Sequence, residues 1–278
     1  MALPVFLVKK TPKKRNIDKI RRKIGNLPIN TVCESAKCPN IGECFARNTI
    51  TFMILGDICT RACRFCGVGK GDPLPPRADE PENIVKVAKQ LALDYVVITS
   101  VSRDDLADGG ASQFAAAIEA LKRNDPSIKV EVLIPDFNGN SGALEKVIDA
   151  GPDVLNHNIE TVLRLYPLIR PQADYQRSLN LIKSAKNRGI VTKSGFMVGL
   201  GERKAEVLSA IKDLNAAGCD IVTIGQYLPP SKSHFSVVRY VHPDEFSEYR
   251  EFGESLGLKI AAGPFVRSSY QAKEIINV

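Results

Sequence analysis
The chain has 278 residues, 44% of them hydrophobic and 25% charged, with 38 basic against 31 acidic residues and a formal charge of +7. That is enough chain for one large α/β domain or for a domain with appendages. No apolar run approaches the roughly 18 residues that span a bilayer, and the first seven residues are too short and wrongly built for a secretory signal peptide. A soluble, cytoplasmic protein is expected.

Three segments are expected along the chain. Residues 1–50 are basic, with little helix or strand periodicity; 51–262 alternate between strand and helix signals; 263–278 form a tail. The basic excess concentrates in Lys9, Lys10, Lys13, Lys14, Arg15, Lys19, Arg21, Arg22 and Lys23. Such an arm attracts anions, whether nucleic acid, acidic lipid or acidic protein, although a solvated arm is the plainer reading. No aromatic residues interleave the charges and no nucleic-acid motif accompanies them, which makes nucleic acid the weaker partner. Short runs rich in Val and Ile at 51–55, 95–100, 129–134, 153–156, 191–198 and 221–226 read as strands buried on both faces. Residues 82–91, 112–123, 142–150, 175–188, 204–217 and 243–256 read as helices. In the fifth of these, Val207, Leu208, Ile211 and Leu214 share one face. This alternation implies a parallel sheet with right-handed crossovers. About six units suit an open, partial TIM-like (β/α)6 barrel, whose active site lies at the C-terminal ends of the strands.

There are seven cysteines, and six fall between Cys33 and Cys66, with Cys219 apart. An odd count without a signal peptide argues against a disulfide framework. Cys59, Cys63 and Cys66 form C-x3-C-x2-C directly after the first expected strand. Three thiolates on one short loop can bind three irons of a four-iron cubane, leaving the fourth iron open. Structural zinc is the competitor, but it takes four ligands and favours C-x2-C pairs, and no histidine lies nearby. The spacing, with Phe65 just before the third cysteine, resembles the signature of radical S-adenosylmethionine enzymes. That resemblance implies that the open iron is chelated by the amino and carboxylate groups of S-adenosylmethionine. Reductive cleavage then releases methionine and a 5′-deoxyadenosyl radical able to remove hydrogen from unactivated carbon. The protein positions the reactants and excludes water.

Cys33, Cys38 and Cys44 form C-x4-C-x5-C. One reading joins them to the second triplet in a single metal site, but six thiolates exceed one cubane and two clusters fit the count better. The two triplets and the tail Arg267-Ser268-Ser269-Tyr270 together resemble the lipoyl synthase family, from about Leu27 to the end. The resemblance implies that Cys33, Cys38, Cys44 and Ser269 hold an auxiliary [4Fe–4S] cluster, while Cys59, Cys63 and Cys66 hold the radical-generating one. It also implies insertion of sulfur at C6 and C8 of an octanoyl group, using two S-adenosylmethionines per product and the auxiliary cluster as sulfur donor. An alkoxide oxygen matches iron less well than thiolate does and leaves more readily. The implied partners are an octanoylated lipoyl domain of a 2-oxoacid dehydrogenase E2 or a glycine cleavage H protein, a ferredoxin- or flavodoxin-type reductant and an iron–sulfur cluster carrier. Neither nucleic acid nor a membrane is implied.

Further candidates sit at strand ends. Ser102 lies in 99–105, followed by Asp108-Gly109-Gly110, where polar groups can hold the methionine moiety; a solvated loop is the alternative. Asn158 and Glu160 are candidates for cofactor hydrogen bonds, and His157 for a structural one. Lys193 and the turn 199–202 flank the fifth strand. Arg170 either meets a carboxylate or pairs on the surface, and Cys219 reads as an inert buried thiol. The rivals are another radical enzyme with an auxiliary cluster, such as a methylthiotransferase, and a metal-binding module that holds RNA.

Overall fold
The computed structural model describes residues 3–9 and 14–276; Lys10 and Lys13 of the basic arm and the last two residues of the tail lie outside the described residues. The chain divides into two compact units, one of Lys10–Arg61 with Val68–Leu155, the other of Met1–Lys9 and Ala62–Gly67 with Asn156–Val278.

In the first unit, helix α1 (Lys14–Ile24), strand β1 (Asn30–Thr31) and helices α2 (Val32–Ser35) and α3 (Ile41–Ala46) precede strand β2 (Thr51–Ile54). A short parallel pair, β3 (Ile58–Cys59) and β4 (Gly69–Lys70), leads to α4 (Glu80–Leu91), β5 (Tyr95–Ser100), α5 (Ala111–Asn124), β6 (Lys129–Leu133), α6 (Ser141–Asp149) and β7 (Val154–Asn156). Strands β2, β5 and β6 pair in parallel, with Ile54 opposite Ser100 and Thr99 opposite Leu133, and β1 runs antiparallel to β2. All four residues of β2 are buried. The packed helices α4 and α5 bury Ile84, Val87, Phe114 and Ile118. Each such side chain contributes about 1.5–3 kcal/mol on leaving water.

The second unit contains α7 (Tyr166–Ile169), α8 (Tyr175–Asn187), β8 (Val191–Val198), α9 (Lys204–Ala216), β9 (Ile221–Gln226), α10 (Pro243–Ser255), β10 (Lys259–Gly263) and α11 (Ala272–Ile276). Strands β8, β9 and β10 are parallel, in a register that sets Lys193 and Lys259 on either side of Ile221. Their core joins Val207, Ile211 and Leu214 of α9 to Phe246 and Tyr249 of α10. All six expected strands and all six expected helices are present within two residues of their expected ends.

The N-terminal segment departs from the expectation of little periodicity. Residues 14–24 are helical, with Ile20 and Ile24 buried; an apolar stripe of three isoleucines was masked by the surrounding charge. Strand β10 was also missed, because Ala261, Ala262 and Gly263 carry little of the β-branched signal that marks a strand.

The turn out of β2 aims the loop that carries Cys59. Leu55 has φ of +69°, a region that costs an L-residue about 1–2 kcal/mol. Both of its backbone groups are held: Glu80 accepts its N–H through Oε1 and Oε2 at 3.1 and 3.0 Å, and Arg103 Nη1 donates to its carbonyl at 3.2 Å. Six residues on, Arg61 is 4% exposed. Its Nε donates to Asp104 Oδ2 at 2.7 Å, and its Nη2 to Asn138 Oδ1 at 2.7 Å and to the fully buried Asp136 at 2.6 Å. Removing one partner of a buried pair leaves the others uncompensated, so Arg61→Ala is expected to lower unfolding free energy by about 3–5 kcal/mol in urea titration.

Before α5, burial pushes the Asp108 carboxyl up, but the Ser112 hydroxyl, the N–H groups of Ser112 and Gly110 and the Lys146 ammonium outweigh it and hold it down to about 2. The folded value lies below the unfolded one, so this stabilisation is present above pH 4 and lost as pH falls from about 4 to 2. Asp108→Asn should therefore lower the denaturation midpoint at pH 7, and the gap from the parent should close over that acid range.

Candidate active site
In the first unit, Cys59 ends β3 and its Sγ accepts two backbone N–H groups, from Arg61 at 3.4 Å and Ser102 at 3.3 Å. Thr60 stitches the same two loops: its N–H and hydroxyl both donate to the Ser102 carbonyl, at 3.1 and 3.0 Å, and its Oγ1 accepts the Asp104 N–H. The loop after β5 thus supports the sulfur directly, and Ser102 meets the cysteine through its backbone. Such N–H···S contacts suit a thiolate that ligates metal.

In the second unit, the rest of that motif is fastened separately. The Arg64 N–H donates to the Ile169 carbonyl at 2.9 Å, the Phe235 N–H donates to the Arg64 carbonyl at 3.1 Å, and Phe65 packs on the core. His234 Nε2 lies 3.0 Å from the Cys66 carbonyl oxygen. Cys63 and Cys66 are half-buried. His234 was invisible as a partner in the sequence because it stands so far along the chain from Cys66.

The first triplet folds as one knuckle within the first unit. The Cys38 N–H donates to the Cys33 carbonyl at 3.0 Å, the Cys44 N–H to the Asn40 carbonyl at 3.0 Å, and the Thr49 N–H to the Cys44 carbonyl at 2.9 Å. Burial pushes the Cys33 thiol up to about 12 against a hydrogen bond from the Thr51 backbone, and the nearby Cys38 and Cys44 push it further. Among the described residues no three His, Cys, Asp or Glu side chains form a group that could hold a single metal ion. A cubane takes each thiolate on a separate iron. The donor set of six thiols in two turns fits iron–sulfur clusters.

The second unit gathers Asn158, Glu160 and the tail. Ser268 Oγ donates to Asn158 Oδ1 at 2.8 Å, and Asn158 Nδ2 donates to Glu160 Oε1 at 3.0 Å. Burial pushes the Glu160 carboxyl up, opposed by Arg170 and Asn158. The tail lies close on the strands because two glycines clear its path. A Cβ on Gly195 would stand 2.3 Å from Thr223 Oγ1 and 2.9 Å from Ser268 Oγ, and one on Gly225 would stand 2.2 Å from the Val266 carbonyl oxygen. Ser269, next to Ser268, is half-buried. Lys9 Nζ sits over the rings of Phe265 and Tyr270, 4.7 and 5.5 Å from their centroids. Lys193 is wholly buried on β8.

Other candidates have structural partners. His157 Nε2 lies 3.0 Å from Ser178 Oγ, as a structural histidine should. Arg170 is buried, and its Nη1 donates to the carbonyls of Asn158 and Ile159 at 2.9 and 3.1 Å, so the surface pairing is corrected to a brace beneath Asn158. The Glu202 carboxylate accepts the N–H groups of Gly199 and Leu200 at 2.7 and 2.9 Å, closing that turn on itself. Cys219 is buried and its thiol is pushed up to about 12. Arg61, between Cys59 and Cys63, and Ser268, in the tail motif, carry no signal of their own in the sequence.

Residues 53–226 match the radical SAM superfamily. The lipoyl synthase of Caldicellulosiruptor saccharolyticus is 53% identical over 267 residues, covering 95% of this chain and 94% of the relative. That of Caldanaerobacter subterraneus subsp. tengcongensis is 55% identical over 260 residues, covering 92% and 91%. The fold is similar to the crystal structure of methylornithine synthase, with a TM-score of 0.56 at 16% identity over 91% of this chain and 72% of that one. The two cysteine turns and the serine tail thus stand in a chain that belongs to the lipoyl synthase family of the radical SAM superfamily.

Proposed function
We propose that this chain, as a lipoyl synthase, converts an octanoyl group carried on a lysine of a lipoyl carrier domain by placing sulfur at C6 and C8. Cys59, Cys63 and Cys66 are assigned to the [4Fe–4S] cluster that serves S-adenosylmethionine. Cys33, Cys38 and Cys44, from the N-terminal residues 1–50, and Ser269, from the tail 263–278, are assigned to a second cluster that is consumed as the sulfur substrate. The observation that carries this reading is that Cys33, Cys38 and Cys44 close one knuckle by their own backbone hydrogen bonds, while Cys59 is held apart from it by the N–H groups of Arg61 and Ser102. When bound, the first cluster and two S-adenosylmethionines per product supply the electrons and the hydrogen-abstracting radicals.

The chain's own residues do the holding. The Ser102 and Arg61 N–H groups steady Cys59, and Phe65 roots the loop in the core. Asn158, Glu160 and Lys193 are assigned to S-adenosylmethionine; the half-buried Glu160 carboxylate suits its amino group, and Asn158 links that carboxylate to the tail. Ser268 anchors the tail so that Ser269 is presented in one position. The partners proposed are an octanoylated E2 lipoyl domain or glycine cleavage H protein, a ferredoxin- or flavodoxin-type reductant and a cluster carrier for repair. Among the described residues no helix is long and apolar enough to cross a membrane.

Anaerobic reconstitution should give about eight irons per chain, and about four when either cysteine triplet is changed to alanine. Sulfide labelled isotopically in the second cluster should appear in the product; label retained by the protein would overturn the assignment. Ser269→Ala is expected to release 5′-deoxyadenosine from S-adenosylmethionine without thiolated product. Ser268→Ala should lower product per deoxyadenosine several-fold, with Ser268→Thr restoring the ratio, as read by mass spectrometry.

A further inference from the structure
Helix α1 carries a feature that the cluster chemistry does not use. Arg15, Lys19 and Arg22 recur at i, i+4 and i+7 and are all exposed, so they form one stripe along the helix. Ile17, Ile20 and Ile24 recur on the opposite side, with Ile20 and Ile24 buried. The helix therefore has an inner face that packs on α3 and α4 and an outer face that is cationic. Among the described residues none of Arg15, Lys19 and Arg22 has an ion-pair partner; Arg22 Nε donates to the Asp18 carbonyl, at 3.3 Å.

At its N-terminal end this arrangement works against the helix. Arg15 and Lys19 are like charges at i, i+4, which destabilise a helix, and Lys14 and Arg15 sit in the first turn, where the helix dipole disfavours cations, whereas Arg22 in the last turn suits it. No acidic residue occupies the first turn. The helix nevertheless packs on α3, which carries Cys44, and Arg21 Nε donates to Glu34 Oε1 at 3.0 Å, next to Cys33. An unneutralised stripe is thus held in a set position on the unit that bears Cys33, Cys38 and Cys44.

We infer that the outer face of α1 is the docking surface for the protein that presents the octanoyl-lysine, and that this protein meets it with a cluster of carboxylates. The proposal rests on the reading that the substrate is borne by a carrier domain. A lysine-linked chain has limited reach, so its carrier must bind beside the sulfur source, and the cationic stripe stands on the same unit. Protein carboxylates fit it better than nucleic acid, because no aromatic side chain interleaves the cations to stack on bases.

The test compares the reconstituted full chain with its R15E/K19E/R22E variant, and with R15Q/K19Q/R22Q as the milder version. Binding of a fluorescently labelled octanoylated lipoyl domain is followed by anisotropy at low and high salt, and turnover of an octanoyl-lysyl peptide is measured in parallel. The expected result is at least a tenfold weaker Kd for the domain in the Glu variant, about 1.4 kcal/mol, with an intermediate loss in the Gln variant. The salt dependence of binding should flatten, and peptide turnover should be unchanged. An unchanged Kd for the domain overturns the proposal, as does an equal loss of peptide turnover, or stripe-dependent retention of single-stranded RNA with no effect on the domain. Absence of peptide thiolation by the parent chain would instead count against the assigned reaction, while the anisotropy arm still decides the docking surface.

Discussion
Arg61 contacts Asp104, Asp136 and Asn138 at once, and it stands two residues after the first cysteine of the radical motif. Burying a guanidinium costs several kcal/mol unless its donors are used, and here the donors are taken by groups from the loops after β5 and β6. The pairing converts a loop that emerges from a strained Leu55 into one with a fixed path. Ser102 can then reach the Cys59 sulfur with its N–H, because Asp104, two residues later, is already held. The position of a cluster-motif sulfur thus depends on charges that do not touch it.

The same economy recurs in the second unit. Glycine at 195 and 225 lets the tail lie on the strand backbones, and Arg170 braces the carbonyls beneath Asn158. Asn158 then has one amide edge for the tail and the other for Glu160. Tail and strand ends share a side chain, so movement in either is felt by the other.

Much of this was legible in the sequence. Runs rich in Val and Ile gave β5 and β9 to the residue, because strands buried on both faces are largely apolar, and β8 was placed as well although Thr192, Lys193 and Ser194 are buried in it. Cysteine spacing marked both triplets, whereas Ser269 was named only through the family resemblance, since an Arg-Ser-Ser-Tyr tail carries no ligand signal of its own. The unreadable elements share a physical cause: their signal lies in pairs distant along the chain or in weak side chains. His234 on the Cys66 carbonyl and Asp136 on Arg61 are contacts no local pattern encodes. Strand β10 is held by pairing with β9 rather than by its own propensity, and α1 hides three isoleucines among lysines and arginines.

The cation–aromatic contact of Lys9 with Phe265 and Tyr270 joins two stretches of chain that lie far apart in the order of synthesis. At about 5–20 residues per second, translation separates Lys9 from its partners by tens of seconds. Until then the Lys9 ammonium has neither ring to sit over, so this contact is among the last that its unit can form.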